Sequence, residues 1–146
     1  MIIQDLATSG SLPTLELMMR FAGQRQAILA HNIANIDTPG FRHLDVSPRA
    51  FQATLRDAID ERRRQTGGEH GELRWSESRE LARGRGGELT LVPRTPSAGV
   101  LYHDRNNRDL ERLMQDLTEN TAAFRVASDL MRSKVSSLRD ALAERV

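Results

Sequence analysis

The run Leu29-Ala30-His31-Asn32-Ile33-Ala34-Asn35-Ile36-Asp37-Thr38-Pro39-Gly40-Phe41-Arg42 carries the end of an apolar-periodic helix into a Pro-Gly turn. Proline at position 39 pushes the backbone of Thr38 out of the α region, so the helix ends at or before Thr38. Pro39 presets φ for the second position of a turn, and Gly40 supplies the positive φ that a type II turn needs at the third. Asn32 and Asn35 lie three apart, on one face of the last helical turn. Their amides suit the unpaired carbonyls of that helix end or the backbone of a neighbouring chain. Physical chemistry alone makes this stretch a well-capped helix end.

Upstream, Leu15, Met19, Ala22, Gln26, Leu29, Ile33 and Ile36 alternate spacings of four and three, as in a coiled-coil seam broken only by Gln26. Leu17, Phe21 and Ile28 form a second apolar stripe beside it, and a helix with two apolar stripes needs more than one neighbour. Downstream, Ser47-Pro48 reads as an N-cap followed by proline at the first helical position. Phe51, Leu55, Ala58 and Ile59 then share one face of a helix ending near Arg62. Arg62, Arg63 and Arg64 follow Asp60-Glu61 and precede Gly67-Gly68, which predicts a solvated helix end.

Glycines cluster at 67, 68, 71, 84, 86, 87 and 99, and Pro93 and Pro96 add breaks. Residues 63–103 are therefore expected to form a flexible, poorly packed insert, tolerant of shortening between 65 and 99. Short extended pieces are expected at Leu89–Val92 and Val100–Tyr102, with Trp75 anchoring a small local cluster. Gly84-Arg85-Gly86-Gly87 is not a phosphate loop, since no Lys-Ser/Thr follows.

The last helix carries the strongest pattern. Asn106 is its expected N-cap, with Asp109 three residues on. Leu110, Met114, Leu117, Thr121, Phe124, Ser128, Met131, Val135, Leu138 and Leu142 hold heptad spacing, uninterrupted by Gly or Pro. The opposite face carries Arg112, Asp116, Glu119, Arg125, Asp129, Arg132, Arg139 and Asp140.

The predicted fold is mainly α: antiparallel N- and C-terminal coiled-coil helices plus a short helix, with a flexible, mostly irregular middle insert. Its divisions are a disordered segment 1–11, the helix, turn and short helix of 12–62, the insert 63–103, and the long helix of 104–146, with 12–62 and 104–146 forming one helical domain. At 1.5 Å per residue the helix over 12–36 spans about 37 Å and that over 107–144 about 57 Å. Much of the longer seam then has no partner within the chain, which points to burial against neighbouring subunits. Identical head-to-tail contacts that do not close build a filament.

Composition narrows the function. With 21 basic and 20 acidic residues and a formal net charge of +1, there is no general electrostatic case for nucleic acid or an anionic membrane, and no direct lipid binding is expected. There are no cysteines, so disulfides and thiolate metal sites are excluded. No apolar run approaches the roughly 20 residues of a membrane span. Met1–Leu6 lacks a basic n-region and a sustained apolar stretch, so no cleaved secretory signal is expected. His31, His43, His70 and His103 are scattered, and Asp60-Glu61 falls on a helix end rather than in a cleft. No enzyme, catalytic residue, metal or cofactor is predicted.

The stretch Asn32–Phe41 resembles the N-terminal signature of bacterial flagellar rod and hook axial proteins, roughly Asn-x-Ala-Asn-x-x-Thr-Pro-Gly-aromatic. Its fixed positions are Asn32, Ala34, Asn35, Thr38, Pro39, Gly40 and Phe41. Asp104-Arg105-Asn106-Asn107-Arg108-Asp109-Leu110-Glu111 resembles that family's entry into its C-terminal helix, with Arg105 and Arg108 replacing the usual Gly and Val. Glu119–Ala127 is similar to the corresponding segment of the proximal rod, or FlgB, family, and the short length agrees. The resemblance covers about residues 12–60 and 100–142. His31 stands where the family more often has a small residue.

The resemblance implies a structural subunit of the basal-body rod that transmits torque. It implies export through the flagellar type III apparatus without cleavage, and a place in the periplasm-spanning axis. Implied partners are other copies of itself, other rod proteins, the rod-base adaptor, the membrane ring and the export apparatus. Assembly contacts are expected along the helix seams at Leu15, Met19, Leu29 and Ile33, and at Leu110, Met114, Leu117, Phe124, Met131, Val135, Leu138 and Leu142. The alternative is a soluble coiled-coil secretion adaptor or chaperone, against which the Thr38–Gly40 turn with its flanking asparagines discriminates.

Overall fold

Two long helices lie side by side in the computed structural model, which describes residues 10–96 and 109–143. Helix α1 is Leu12–Ala34, α2 is Pro48–Thr66 and α3 is Leu110–Ala143, with strands β1 (Leu81–Arg83) and β2 (Leu89–Leu91) between α2 and α3. The strands pair antiparallel with Leu81 opposite Leu91 and Arg83 opposite Leu89. The mainly helical class is as the periodicity predicts. The expected segment 1–11 up to residue 9, the extended piece Val100–Tyr102 and the cap at Asn106 lie outside the described residues.

Local chemistry sets the helix ends. Ser47 Oγ accepts from the Ala50 amide at 3.2 Å, and Pro48 follows it, so α2 starts as the sequence indicates. Helix α2 runs on to Thr66, one turn beyond the expected end, and stops at Gly67, whose φ of +70° puts it in the left-handed region. Asp109 caps α3: its Oδ1 accepts from the Arg112 amide at 3.0 Å, which relieves an orphan donor of the first turn.

The core forms beneath the second stripe of α1. Leu17 and Phe21 meet Val46, Phe51, Leu55 and Ala58, together with Trp75, Leu81, Leu89 and Leu91. The Phe21 and Phe51 rings stack with centroids 4.0 Å apart and planes 8° apart. The heptad stripe is buried separately at Leu15, Ala22 and Leu29, on the side where α3 lies. Thus the two stripes of α1 have different partners, as a two-striped helix requires. Phe21→Ala is expected to cost about 3–5 kcal/mol of stability in urea unfolding, and Phe21→Leu less than about 1.5 kcal/mol.

The middle segment corrects one expectation. Its described part, up to residue 96, is mostly irregular with two three-residue strands, but it is not poorly packed. Trp75, Leu81, Leu89 and Leu91 are all buried, so Trp75 joins the main core instead of a local cluster. Two of the glycines that suggested looseness serve the hairpin turn: Gly87 sits at φ +82°, and the Gly84 amide donates to Glu88 O at 2.8 Å. Arg62 is corrected too. It is buried, and its guanidinium donates to the carbonyls of Gly10 (2.7 Å) and His70 (3.2 Å), tying the start of α1 to the end of α2. Arg63 and Arg64 remain exposed beside Asp60 and Glu61.

Candidate functional site

Polar side chains in the middle and at the end of α1 hold the hairpin, the chain returning from the turn and α3 to it. Gln24 pairs its amide with the backbone of β2: Nε2 donates to Leu89 O at 2.6 Å, and Oε1 accepts from Leu91 N at 2.9 Å. Asn32 does the same to the chain returning from the turn, donating to Leu44 O at 2.6 Å and accepting from Leu44 N at 3.1 Å. A primary amide presents one donor and one acceptor side by side, which matches the edge of an extended residue. Asn32 is almost fully buried, so these two bonds satisfy groups that have no water to turn to.

Arg25 joins three elements. It forms a two-bond pair with Asp45 (2.9 and 2.7 Å) and reaches Asp116 of α3 at 3.4 Å. Burial alone would lower its pKa, but the two carboxylates outweigh that and hold it raised, so it remains a cation. Asp45 is also bridged to Arg94 through reciprocal backbone bonds of 2.9 Å.

Gln26, the break in the seam, faces α3. Asn120 Nδ2 donates to Gln26 Oε1 and to Ala22 O, both at 2.9 Å, and Thr121 Oγ1 lies 3.3 Å from the same Gln26 oxygen. These polar positions fix the register between α1 and α3 inside the chain, the role a buried polar residue plays in a coiled coil. Arg25 beside Asp116 and Gly23 beside Phe124 make the pair antiparallel.

The motif turn forms as its residues dictate. The Phe41 amide donates to Thr38 O at 3.2 Å, and Gly40 has φ +75°. Asn35 donates from Nδ2 to His31 O at 2.9 Å, closing the helix end. Thus Asn35 serves a carbonyl of its own helix, while Asn32 clamps a later segment. Ala34, Thr38, Pro39 and Gly40 are exposed, and Phe41 is half-buried. No atom lies within 4 Å of the point where a Cβ on Gly40 would stand, so substitution there meets only backbone strain. Gly40→Val is expected to lower stability by about 1–3 kcal/mol, whereas Gly40→Asn, which tolerates the left-handed region, should stay near wild type. Thermal unfolding of the three proteins decides it.

The seam residues divide. Leu15 and Leu29 are buried within the chain and have no surface left for a neighbour, while Met19 and Ile33 are half-buried. On α3 the contact with α1 is centred on Leu113, Asn120 and Ala127, one edge of the apolar stripe. Leu117, Met131, Val135 and Leu138 are half-buried. Leu110, Met114, Phe124 and Leu142 remain 38–49% exposed. Val126 and Leu130, outside the predicted seam, are exposed by 57% and 51%. Among the described residues no three His, Cys, Asp or Glu side chains gather as a metal site, and no helix is long and apolar enough to cross a membrane.

The molecule is thus an antiparallel helix pair braced by a small hairpin, with apolar side chains held out to solvent along its longer helix. The profile of the family described as Flagella basal body rod protein matches residues 20–42, the stretch of α1 that carries the clamps and the turn. The flagellar basal body rod protein FlgB of Salmonella typhimurium (strain LT2) is 27% identical over 124 residues, covering 85% of this chain and 86% of that protein. Both comparisons liken the chain to flagellar basal body rod proteins of the FlgB type, which are structural components of the rod.

Proposed function

We propose that this subunit assembles with its own copies and with other rod proteins through the exposed stripe of α3, building the axial shaft that carries torque from motor to filament. The supporting observation is the exposure of Leu110, Met114, Phe124 and Leu142 on a helix that outruns its partner. Helix α3 has 34 residues and α1 has 23, so α3 is longer by about 16 Å. With Asn120 beside Ala22, the last turns of α3 extend past Leu12, the first residue of α1. Apolar side chains left in water along such a helix favour burial against another helix. Val126 and Leu130 lie on the other flank of the α1 contact, which gives each subunit a second direction of contact. Two unlike contact faces that do not close on themselves generate a helical filament.

On this reading the protein leaves the cytoplasm through the flagellar export apparatus without signal cleavage and occupies the periplasm-spanning rod. It meets the rod-base adaptor and the membrane ring there, and binds neither nucleic acid nor lipid directly. Its work is mechanical, and the clamps of α1 keep the subunit from shearing under load. A photo-crosslinking residue placed at Met114 or Leu142 in motile cells should capture a second copy or another rod protein, while one at Arg49, on the exposed face of α2, should capture far less. Motile cells with no crosslink from Met114, Leu142, Val126 or Leu130 would remove α3 from the interface.

A further inference from the structure

A buried histidine stands where the chain returns from the motif turn. His43 is only 9% exposed, and its Nε2 is buried with no hydrogen-bond partner among the described residues. Its ring lies 5.8 Å from that of Phe41, which in turn meets His31 edge-on at 5.5 Å. The next residue, Leu44, is held by Asn32, and the one after, Asp45, by Arg25. A neutral imidazole nitrogen without a partner is a modest loss, but an imidazolium in the same place is a buried charge with an unmet donor.

We propose that His43 is an acid-operated latch: its buried neutral ring lets the segment Phe41–Val46 lie against α1, and its protonation frees that segment from the Asn32 clamp. The charged groups around it do not rescue the cation. Asp109, at the start of α3, is the one whose field favours it, and burial outweighs that field, leaving the His43 pKa below its ordinary value of 6.5. From α1, His31 is separated from it by the Phe41 ring, and Arg25 is engaged with Asp45 and Asp116. With the folded pKa lowered, the native state binds fewer protons than the unfolded chain in this range. Stability therefore falls as pH drops below 6.5 and levels off beneath the folded value. The freed segment adjoins the exposed turn, so acid loosens the motif end of the subunit while leaving the far end of α2 closed.

Nuclear magnetic resonance on the full chain tests this, with the histidine rings titrated from about pH 8 to about pH 5 and amide exchange followed at each step. The His43 ring should titrate below the ordinary value of 6.5. Exchange of the Leu44 amide, which donates to Asn32 Oδ1, should speed up as pH falls from 6.5 and level off below the His43 midpoint, after correction for intrinsic pH dependence. The full gain should be about tenfold for each pH unit by which that midpoint lies below 6.5. The Gly67 amide, bonded to Arg63 O, should show no such step. In His43→Leu the step at Leu44 should vanish; should that variant not fold, the wild-type titration decides alone. A His43 midpoint at or above 6.5, an unchanged Leu44 exchange rate, or a step that persists in His43→Leu overturns the proposal.

Discussion

Met114→Asp combined with Phe124→Asp is expected to abolish rods and motility while leaving the subunit folded and exported. Both side chains stand out from α3, 49% and 38% exposed, and neither belongs to the buried core. Aspartate is a weaker helix former than methionine, and the Phe124 edge rests over Gly23, so the isolated subunit should lose about 1 kcal/mol, a tolerable part of a typical domain stability. In an assembled rod the same carboxylates would be buried between helices without a partner, at several kcal/mol each. The loss repeats at every contact, so the assembly should fail outright. Circular dichroism of purified protein, export assays and electron microscopy of basal bodies would separate the two levels. Normal rods in the double variant would mean that this stripe faces solvent in the assembled state.

Replacing residues 77–92 with a short Gly-Ser linker should have the opposite signature, a subunit that no longer folds cooperatively. The deletion removes Leu81, Leu89 and Leu91 from the core, and burial of each is worth about 2–5 kcal/mol. It strips Trp75 of its cover and leaves the Gln24 amide without the β2 backbone it pairs with. It also removes Glu80, whose carboxylate accepts from the Ser47 amide at 2.8 Å at the start of α2. Together these losses match or exceed the whole stability of a typical domain of this size. Thermal unfolding followed by far-ultraviolet circular dichroism should show a broad, low-amplitude transition. A sharp transition near that of the full chain would mean that the hairpin only decorates the helical pair.

The two experiments separate what the protein needs to fold from what it needs to assemble. Folding rests on the second stripe of α1, on α2 and on the hairpin. Assembly, on the proposed reading, would use the α3 stripe that folding leaves uncovered. Residues 20–42, where the family profile matches, contribute chiefly to the first. Phe21 fills the core, Gln24, Arg25 and Asn32 hold the hairpin, the return segment and α3, and Gly40 reverses the chain.

Much of this was legible in one dimension. The four-and-three spacing from Leu15 to Ile36 and from Leu110 to Leu142 marks two long helices because α-helical periodicity is a local property. Ser47-Pro48 opens α2, and Pro39-Gly40 forces the turn, because φ restriction acts within a residue or two. What escaped was set by distance along the chain. Gln24 meets β2 across 65 and 67 residues, and Asn120 meets Gln26 across 94. No spacing rule marks a glutamine as a strand's surrogate neighbour. Arg62, last seen as one of three charges at a helix end, is buried because the carbonyls of Gly10 and His70 converge on it.

The glycine-rich middle misled for a related reason: glycine reports backbone freedom, but only packing decides whether the turn it permits is anchored. The sequence by itself determined the helices and the turn. Tertiary structure alone decided that α1 meets the edge of the α3 stripe at Leu113, Asn120 and Ala127, leaving Leu110, Met114 and Phe124 in solvent. The physical reason is that an apolar stripe broader than one contact can be entered from either side. The polar bonds of Asn120 to Ala22 and Gln26, made only when the helices meet, select the side.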